Sequence, residues 1–508
     1  MSGESADYAV LIRGRKLAKN TLWNLLGQGV PLLVALLTIP QLIHGLGIDR
    51  FGVLSLAWMV IGYFSLFDMG LGRALTKLVA EKLGTGQTQD IPPLVWTALV
   101  LMSVLGLMGA IVIAALAPWL VHSALNIPAP LQMETLQAFY LLAFSIPIVI
   151  STAGLAGLLQ AYQRFDLMNA LNIPLGVFTY LGPLVALHFS NHLLSVVAVL
   201  AAGRLLACGG YLFLCLRLVP MRRHGICMRR ALLRPLLSFG GWMTISNIIA
   251  PLMMYFDRFL IGALMSIASV AYYATPYHIV TKLWIVPVAL GSVLFPAFSA
   301  TSTSDRVHTV RLVTRGINTI FLALFPLILV IVTLAHEGLT FWLGVEFAQN
   351  STRVLQWLAI GILINSLANL PYVLIQGSGR PDLTAKLHLI ELPFYLLALW
   401  WLIEAYGIQG AAIAWVARAT VDMLFLFGMT QRLFPPLSPF IKRLAVAFGI
   451  ALLAFTVGAL ISANIAIKVV FLSLVSFLFV LVAWWLLFTH EDRALVHKIL
   501  EAHPALYR

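Results

Sequence analysis

The sequence predicts an all-α, polytopic membrane protein with fourteen transmembrane helices, arranged as two pseudo-symmetric six-helix lobes plus two C-terminal helices. Three observations lead there. First, 61% of the 508 residues are hydrophobic and only 10% are charged, against roughly 25% charged in soluble domains. So few polar groups cannot cover a water-facing surface, and hydrocarbon must solvate most of the chain. Second, apolar runs long enough to cross a bilayer recur along the whole length. Third, LLQAYQRFDLMNALN from Leu158 and LIQGSGRPDLTAKLH from Leu374 read nearly alike. Without a gap they pair Gln160 with Gln376, Arg164 with Arg380, Asp166 with Asp382 and Leu167 with Leu383. Each follows a long apolar run, as in transporters built from duplicated helix sets.

A span needs about 20 mostly apolar residues. In order, the candidates are 21–44, 52–76, 93–118, 135–160, 167–188, 193–217, 236–261, 270–298, 316–336, 353–376, 383–403, 408–431, 440–463 and 467–489. The first follows Arg13, Arg15, Lys16 and Lys19, and no small-residue cleavage site comes close behind it. It reads as a retained helix rather than a signal peptide. Pro31, Pro147, Pro174, Pro251, Pro287 and Pro326 fall inside spans and predict kinks, which membrane helices tolerate. The second span extends the repeat: FGVLSLAWMVIGYFSLFDMGLG from Phe51 lies over VAYYATPYHIVTKLWIVPVALG from Val270. Both end in Leu-Gly, at Gly72 and Gly291. Trp23 lies over Trp242, Gln28 over Asn247, and Arg204 in the sixth span over Arg418 in the twelfth. An even number of helices per copy gives the copies one orientation, with a pseudo-twofold axis along the membrane normal. The last two spans fall outside the repeat. The expected organisation is an N-lobe (1–217), a basic cytoplasmic linker (218–235), a C-lobe (236–432), and two final spans with a cytoplasmic tail (433–508).

The net charge of +13 raises nucleic acid as a partner, but the basic residues sit in short loops between apolar runs, where they set membrane topology instead. With a cytoplasmic N-terminus, the outward segments hold only Arg50, Arg353 and Lys468 of the 32 Lys and Arg residues. Both termini are then cytoplasmic. The link from Arg217 to Arg234 carries Arg217, Arg222, Arg223, Arg229, Arg230 and Arg234 in an amphipathic pattern. That fits a surface helix joining the lobes, or simple topology-setting charge. Cys208, Cys215 and Cys227 show neither metal spacing nor a paired framework, as free thiols on a reducing side would. No GxxxxGK[ST], DxD, HExxH or CxxC occurs, so the sequence offers no ATP-hydrolysing loop, metal centre or catalytic constellation.

A charge at mid-bilayer costs at least a few kcal/mol unless paired or hydrated, so each intramembrane polar residue needs a reason. Lys282 is the most central cation. Thr275, His278 and Lys282 follow helical spacing on one face. A cation, an imidazole and a hydroxyl together suit a pyrophosphate anion; the rival reading is a lysine paired to a carboxylate for structure. Arg204 and Arg418 hold repeat-equivalent places and read as structural. Asp422, one turn after Arg418, is its expected i,i+4 partner, and Glu391 on the preceding span could serve the same arginine. Asp68, beside Gly70 and Gly72, could pair with Arg73, cap a loosened turn, or couple to an ion. Asp257 and Arg258 read as an interfacial salt bridge that gates or anchors. Asn20, Asn24 and Gln28, with the repeat-equivalent Asn247, form polar positions suited to sugar hydroxyls or to another helix. Trp58, Tyr63, Tyr277 and Trp284 could stack on sugar rings or simply fill the bilayer.

Several segments resemble the multidrug/oligosaccharidyl-lipid/polysaccharide exporter superfamily, and within it the Wzx-type polysaccharide repeat-unit flippases. They are the Asn-rich entry from Asn20 to Gln28, LGIDRFGVLSLAW from Leu46, FDMGLGRAL from Phe67, SFGGWMTISNIIAPLMMYFDRFLIGALMSIASVAYY from Ser238, LGVEFAQNSTRVLQWLAIG from Leu343 and QGSGRPDLTAK from Gln376. The resemblance covers nearly the whole chain. It implies a V-shaped bundle whose first, second, seventh and eighth helices line a central cavity, with Lys282 facing inward. It further implies a cargo of undecaprenyl-pyrophosphate-linked glycan, moved across a bacterial inner membrane by alternating access. Membrane lipids, and a polymerase and chain-length regulator, are the partners it implies; no nucleic acid and no cofactor are, though a proton or sodium gradient could reset the cycle. Two other readings remain open: a cation-coupled multidrug antiporter of the same superfamily, and a membrane-embedded glycan polymerase or ligase. The expected outward loops are short for such an enzyme.

Overall fold

The computed structural model describes residues 29–66, 71–219, 232–233, 252–301, 305–461 and 463–486. Asn20, Asn24, Gln28, Asp68 and Asn247, most of the basic linker and both chain ends lie outside them. Among the described residues the regular structure is entirely helical. Contacts divide the chain into two compact units, Met1–Thr275 and Pro276–Arg508. The first holds α1 (Gly29–Leu46), α2 (Ile48–Leu66), α3 (Leu71–Gly84), α4 (Ile91–Trp119), α5 (Ala129–Ala161), α6 (Phe165–Phe189), α7 (Leu193–Leu218) and α8 (252–264). α9 (Ile267–Val280) runs across the division. The second holds α10 (Ile285–Thr301), α11 (Arg306–Thr333), α12 (Ala335–Leu343), α13 (Val345–Gly377), α14 (Pro381–Leu433), α15 (Ser438–Leu460) and α16 (Ile465–Leu486).

Eleven of the described helices are long and apolar enough to cross a membrane. α14, at 53 residues, is really two spans, because Gly407 breaks it with φ 60° and ψ −142°. The expected spans 52–76 and 236–261 include residues outside the described set. Interior helices are distinguished by burial rather than composition. In α13, 72% of the most apolar window is buried, against 11% in α16. α16 keeps Val470, Leu474, Phe477 and Trp485 on its outer surface. Such a surface is stable against lipid and not against water.

Where hydrocarbon removes the hydrophobic drive between helices, close contact and hydrogen bonds must hold them together. In the first unit, α5 is the hub. Gly106 of α4 admits Pro147: a Cβ on that glycine would lie 2.5 Å from the Pro147 Cα. Gly157 lies against the Gly72 carbonyl, and the Thr76 hydroxyl donates to the Gly157 oxygen at 2.9 Å. Asn126 clasps the end of α8, its Nδ2 donating to the carbonyls of Ala263 (2.9 Å) and Met265 (3.0 Å). Glu134 joins three helices: it pairs with Arg50 at 3.0 Å and accepts from the Leu193 backbone N–H. In the second unit, Phe325 stacks on Phe479 at 3.8 Å and tilts against Phe455 at 5.3 Å, fastening α16 and α15 to α11. Lys468, buried at the start of α16, donates to Glu337 of α12 at 2.8 Å.

The sequence repeat reappears as local geometry. After α5, the N–H groups of Tyr162, Gln163 and Arg164 bond to Leu158, Gln160 and Leu159. After α13, those of Ser378, Gly379 and Arg380 bond to Leu374, Gln376 and Ile375. Gln163 has φ 55° and Gly379 has φ 77°. Arg164 then clamps Asp166 at 2.9 and 2.8 Å, and Arg380 clamps Asp382 at 3.1 and 3.3 Å. Gly72 meets Gly157 in the first unit, while repeat-equivalent Gly291 meets Val373 in the second.

Two predictions follow from these joints. A left-handed backbone costs a side-chain-bearing residue about 1 kcal/mol, and a Cβ at Gly379 would meet open space. Gln163→Gly should therefore raise stability, and Gly379→Ala lower it, each by about that amount, in thermal unfolding in detergent. At the second joint, burial works against ionisation of Glu337, but its hydrogen bond and attraction to Lys468 prevail and hold the carboxyl below its ordinary range. A lowered carboxyl stabilises the fold above the unfolded value, about 4.3, and that contribution is lost as pH falls through the folded value. Thermal stability should drop below about pH 4, and Glu337→Gln should blunt that drop.

Candidate functional site

Lys282 lies in an irregular piece of backbone. α9 passes into a 3-10 turn, Thr281–Trp284, before α10 begins. Pro287 explains the break: it has no N–H to bond the Leu283 carbonyl, and its ring crowds that oxygen. Thr281 steadies the turn by donating to the Tyr277 carbonyl at 2.8 Å. Trp284 closes it by packing on Tyr277 (6.5 Å) and on Trp415 of α14 (6.4 Å), and Tyr277 meets Trp415 at 6.0 Å. Trp415 is 1% exposed. It fits because Gly361 of α13 has no side chain; a Cβ there would lie 2.4 Å from the indole.

Lys282 and His278 are half-buried. Among the described residues, no carboxylate lies within 4.0 Å of the Lys282 ammonium. Thr275 is 1% exposed, so it is covered rather than presented with the other two. Tyr277 is likewise buried, as ring packing and not as an open face.

Tyr63 does reach a cavity, of about 350 Å³, shared with Tyr255, Trp119, Phe256 and Phe259 of the first unit. Its walls are apolar, unlike a sugar site. Trp58 is 9% exposed and packs edge-on to Phe51 and Tyr180, which makes it core. Asp257 and Arg258 form the expected ion pair, at 3.0 Å. Exposures of 0% and 1% place both inside protein. The Tyr273 hydroxyl donates to Asp257 at 2.7 Å, and the guanidinium lies over the rings of Tyr255 and Tyr273. Neighbours in sequence can share this pocket because the aromatic rings shield the pair from hydrocarbon.

The expected Arg418–Asp422 pair is absent. Arg418 lies over the Tyr395 ring at 5.8 Å, and its Nε makes no hydrogen bond among the described residues. Asp422 instead faces His388 at 3.6 Å. Glu391, 6% exposed, does not reach Arg418 either, and neither of its oxygens has a hydrogen-bond partner among the described residues. Arg204 has no carboxylate within 4.0 Å among them. The aromatic ring of Tyr395 takes the place the carboxylate was expected to fill. His388 escaped the sequence reading; its signal was the spacing His388-x-x-Glu391, which puts both on one helical face. His388, Glu391 and Asp422 converge, their ligand atoms all within 4.8 Å of one another. Of the three, Glu391 lines a cavity of about 540 Å³ between the two limbs of α14, together with Lys386, Tyr395 and Arg418.

Long apolar helices, several broken by proline, define a multi-pass membrane protein. Residues 17–302 match the family described as Polysaccharide biosynthesis protein. A putative O-antigen transporter of Shigella flexneri is 31% identical over 418 residues, covering 82% of this chain and 98% of that one. The chain belongs to this polysaccharide biosynthesis family. Its fold matches an inward-facing multidrug resistance MATE family transporter of the MOP superfamily, at a TM-score of 0.65 and 14% identity, over 82% of this chain and 95% of that one. It also matches a MOP superfamily transporter from Pyrococcus furiosus, at 0.60 and 14%, over 83% and 96%.

The aromatic seat of the Lys282 turn is testable. Gly361→Ala should force Trp415 aside and lower stability by about 1–3 kcal/mol. Adding Trp415→Phe should recover part of the loss in thermal unfolding.

Proposed function

We propose that the protein is a flippase that carries an undecaprenyl-pyrophosphate-linked oligosaccharide repeat unit across the bacterial inner membrane. The observation that carries this reading is Lys282, a half-buried cation without a carboxylate partner among the described residues, in a family whose business is polysaccharide biosynthesis. An uncompensated ammonium within a span is costly. It is stable when an anion visits it, and a pyrophosphate supplies that charge. The relative from Shigella flexneri, named a putative O-antigen transporter, supports a glycan cargo.

In this scheme the head group enters from the cytoplasm, where both termini lie, while the polyprenyl tail stays in lipid. Two six-helix lobes, 1–217 and 236–432, alternate access about a membrane-normal axis. The two final spans and membrane lipids flank the tail. A polymerase and its chain-length regulator receive the product. The multidrug-antiporter alternative rests on likeness of fold at 14% identity, which carries no substrate. Against a polymerase or ligase, the Shigella flexneri relative is named a transporter.

Removing one charge-assisted contact costs about 1.5–3 kcal/mol. Lys282→Ala should therefore cut surface glycan export at least about tenfold while protein level, by immunoblot, holds. Lys282→Arg should retain part of it. Normal export in Lys282→Ala would remove this lysine from the mechanism.

A further inference from the structure

We propose that His388, Glu391 and Asp422 form a binding site for one proton, separate from the Lys282 turn. Their ligand atoms lie within 4.8 Å of one another, inside spans. Glu391 is more than nine-tenths buried, and both its oxygens lack a hydrogen-bond partner among the described residues. Two carboxylates so close cannot comfortably stay ionised together. The groups facing them are few. From the second limb of α14 come Arg418 and Asp422; from the first come Lys386, His388 and Tyr395, with Lys386 more open than the rest. From α13 comes Tyr372, whose ring stacks on His388 at 6.0 Å.

Charge counting selects the occupant. With both carboxylates ionised, Arg418 charged and His388 neutral, the cluster carries one net negative charge. A proton taken up from hydronium bonds to a carboxylate oxygen, leaving water, and brings the cluster to neutrality. A divalent ion would leave a net positive charge in the bilayer. Sodium would also neutralise it, but alkali and alkaline-earth ions favour all-oxygen ligand sets, whereas an imidazole readily exchanges protons.

The site belongs to the second copy alone. By the repeat, Asn172 stands where His388 does, Leu175 where Glu391 does and Cys208 where Asp422 does. Asn172 is held by a neutral hydrogen bond from the Tyr211 hydroxyl at 2.8 Å. A device needed only to fasten the corner would recur in both copies. The cluster also has a mechanical neighbour: Trp415, one turn before Arg418, packs on Trp284 of the Lys282 turn at 6.4 Å. Loading the site can thus be felt at that turn. Its coupling to cargo movement rests on the flippase reading; its proton binding does not.

The test is infrared difference spectroscopy of the purified full-length protein between acidic and alkaline buffers, without glycan. Wild type should show a protonated-carboxyl band that shifts in D2O. Glu391→Gln, and separately Asp422→Asn, should each lose about half of it or more, with thermal unfolding near wild type showing that they fold. A wild-type spectrum without the band, or both folded variants keeping it whole, would overturn the site. Binding of radioactive sodium to wild type at one equivalent, abolished in Asp422→Asn, would make sodium the occupant and overturn the proton assignment. Because the band is read without cargo, failure of glycan export in Lys282→Ala bears on the flippase reading alone.

Discussion

Hydrocarbon donates no hydrogen bonds and screens charge poorly, and every polar group inside a span has to answer to that. Most do so locally. The hydroxyls of Ser55, Thr97 and Thr152 bond back to carbonyls one turn earlier on their own helices. Asp257 and Arg258 do it by pairing inside a sleeve of tyrosines. Against that background, Lys282 and Glu391 stand apart because, among the described residues, neither has a direct ion-pair or hydrogen-bond partner.

Close packing supplies the rest of the cohesion, since lipid tails compete on equal terms with apolar side chains. Gly106, Gly157 and Gly361 each sit where a neighbouring helix comes too near for a side chain. Their effect is not uniform. Gly157 lets two backbones approach until Thr76 can bridge them, whereas Gly361 makes room for one indole. Through that indole, the irregular turn holding Lys282 is tied to the helix bearing Arg418 and Asp422. Position in the fold, not chemical type, gives each glycine its task.

The two repeats keep one joint and diverge in what hangs from it. Both corners use the same three backbone bonds, the same left-handed residue and the same Arg–Asp clamp. Beyond the corner, the first copy places the neutral Asn172–Tyr211 bond, and the second a histidine with two carboxylates. Duplication preserves what backbone geometry needs. Side chains beyond the joint are free to acquire separate chemistry, and in a transporter that division permits one copy to respond to a proton.

The amino-acid sequence determined the membrane class, most span positions and the repeat, because each depends on local quantities: apolar length, proline and glycine placement, and the spacing of Arg164, Asp166, Arg380 and Asp382. It also singled out Lys282 as a charge needing an explanation. Which charges meet was another matter. Arg418 and Asp422 stand one turn apart, yet side-chain rotamers send one to Tyr395 and the other to His388. Glu391 and Asp422 lie on opposite limbs of a helix folded back at Gly407. Their approach depends on that reversal and on the packing of α13, which sequence spacing does not encode. Pairing in a low-dielectric interior is decided by distances of a few ångströms, and only the tertiary structure sets them.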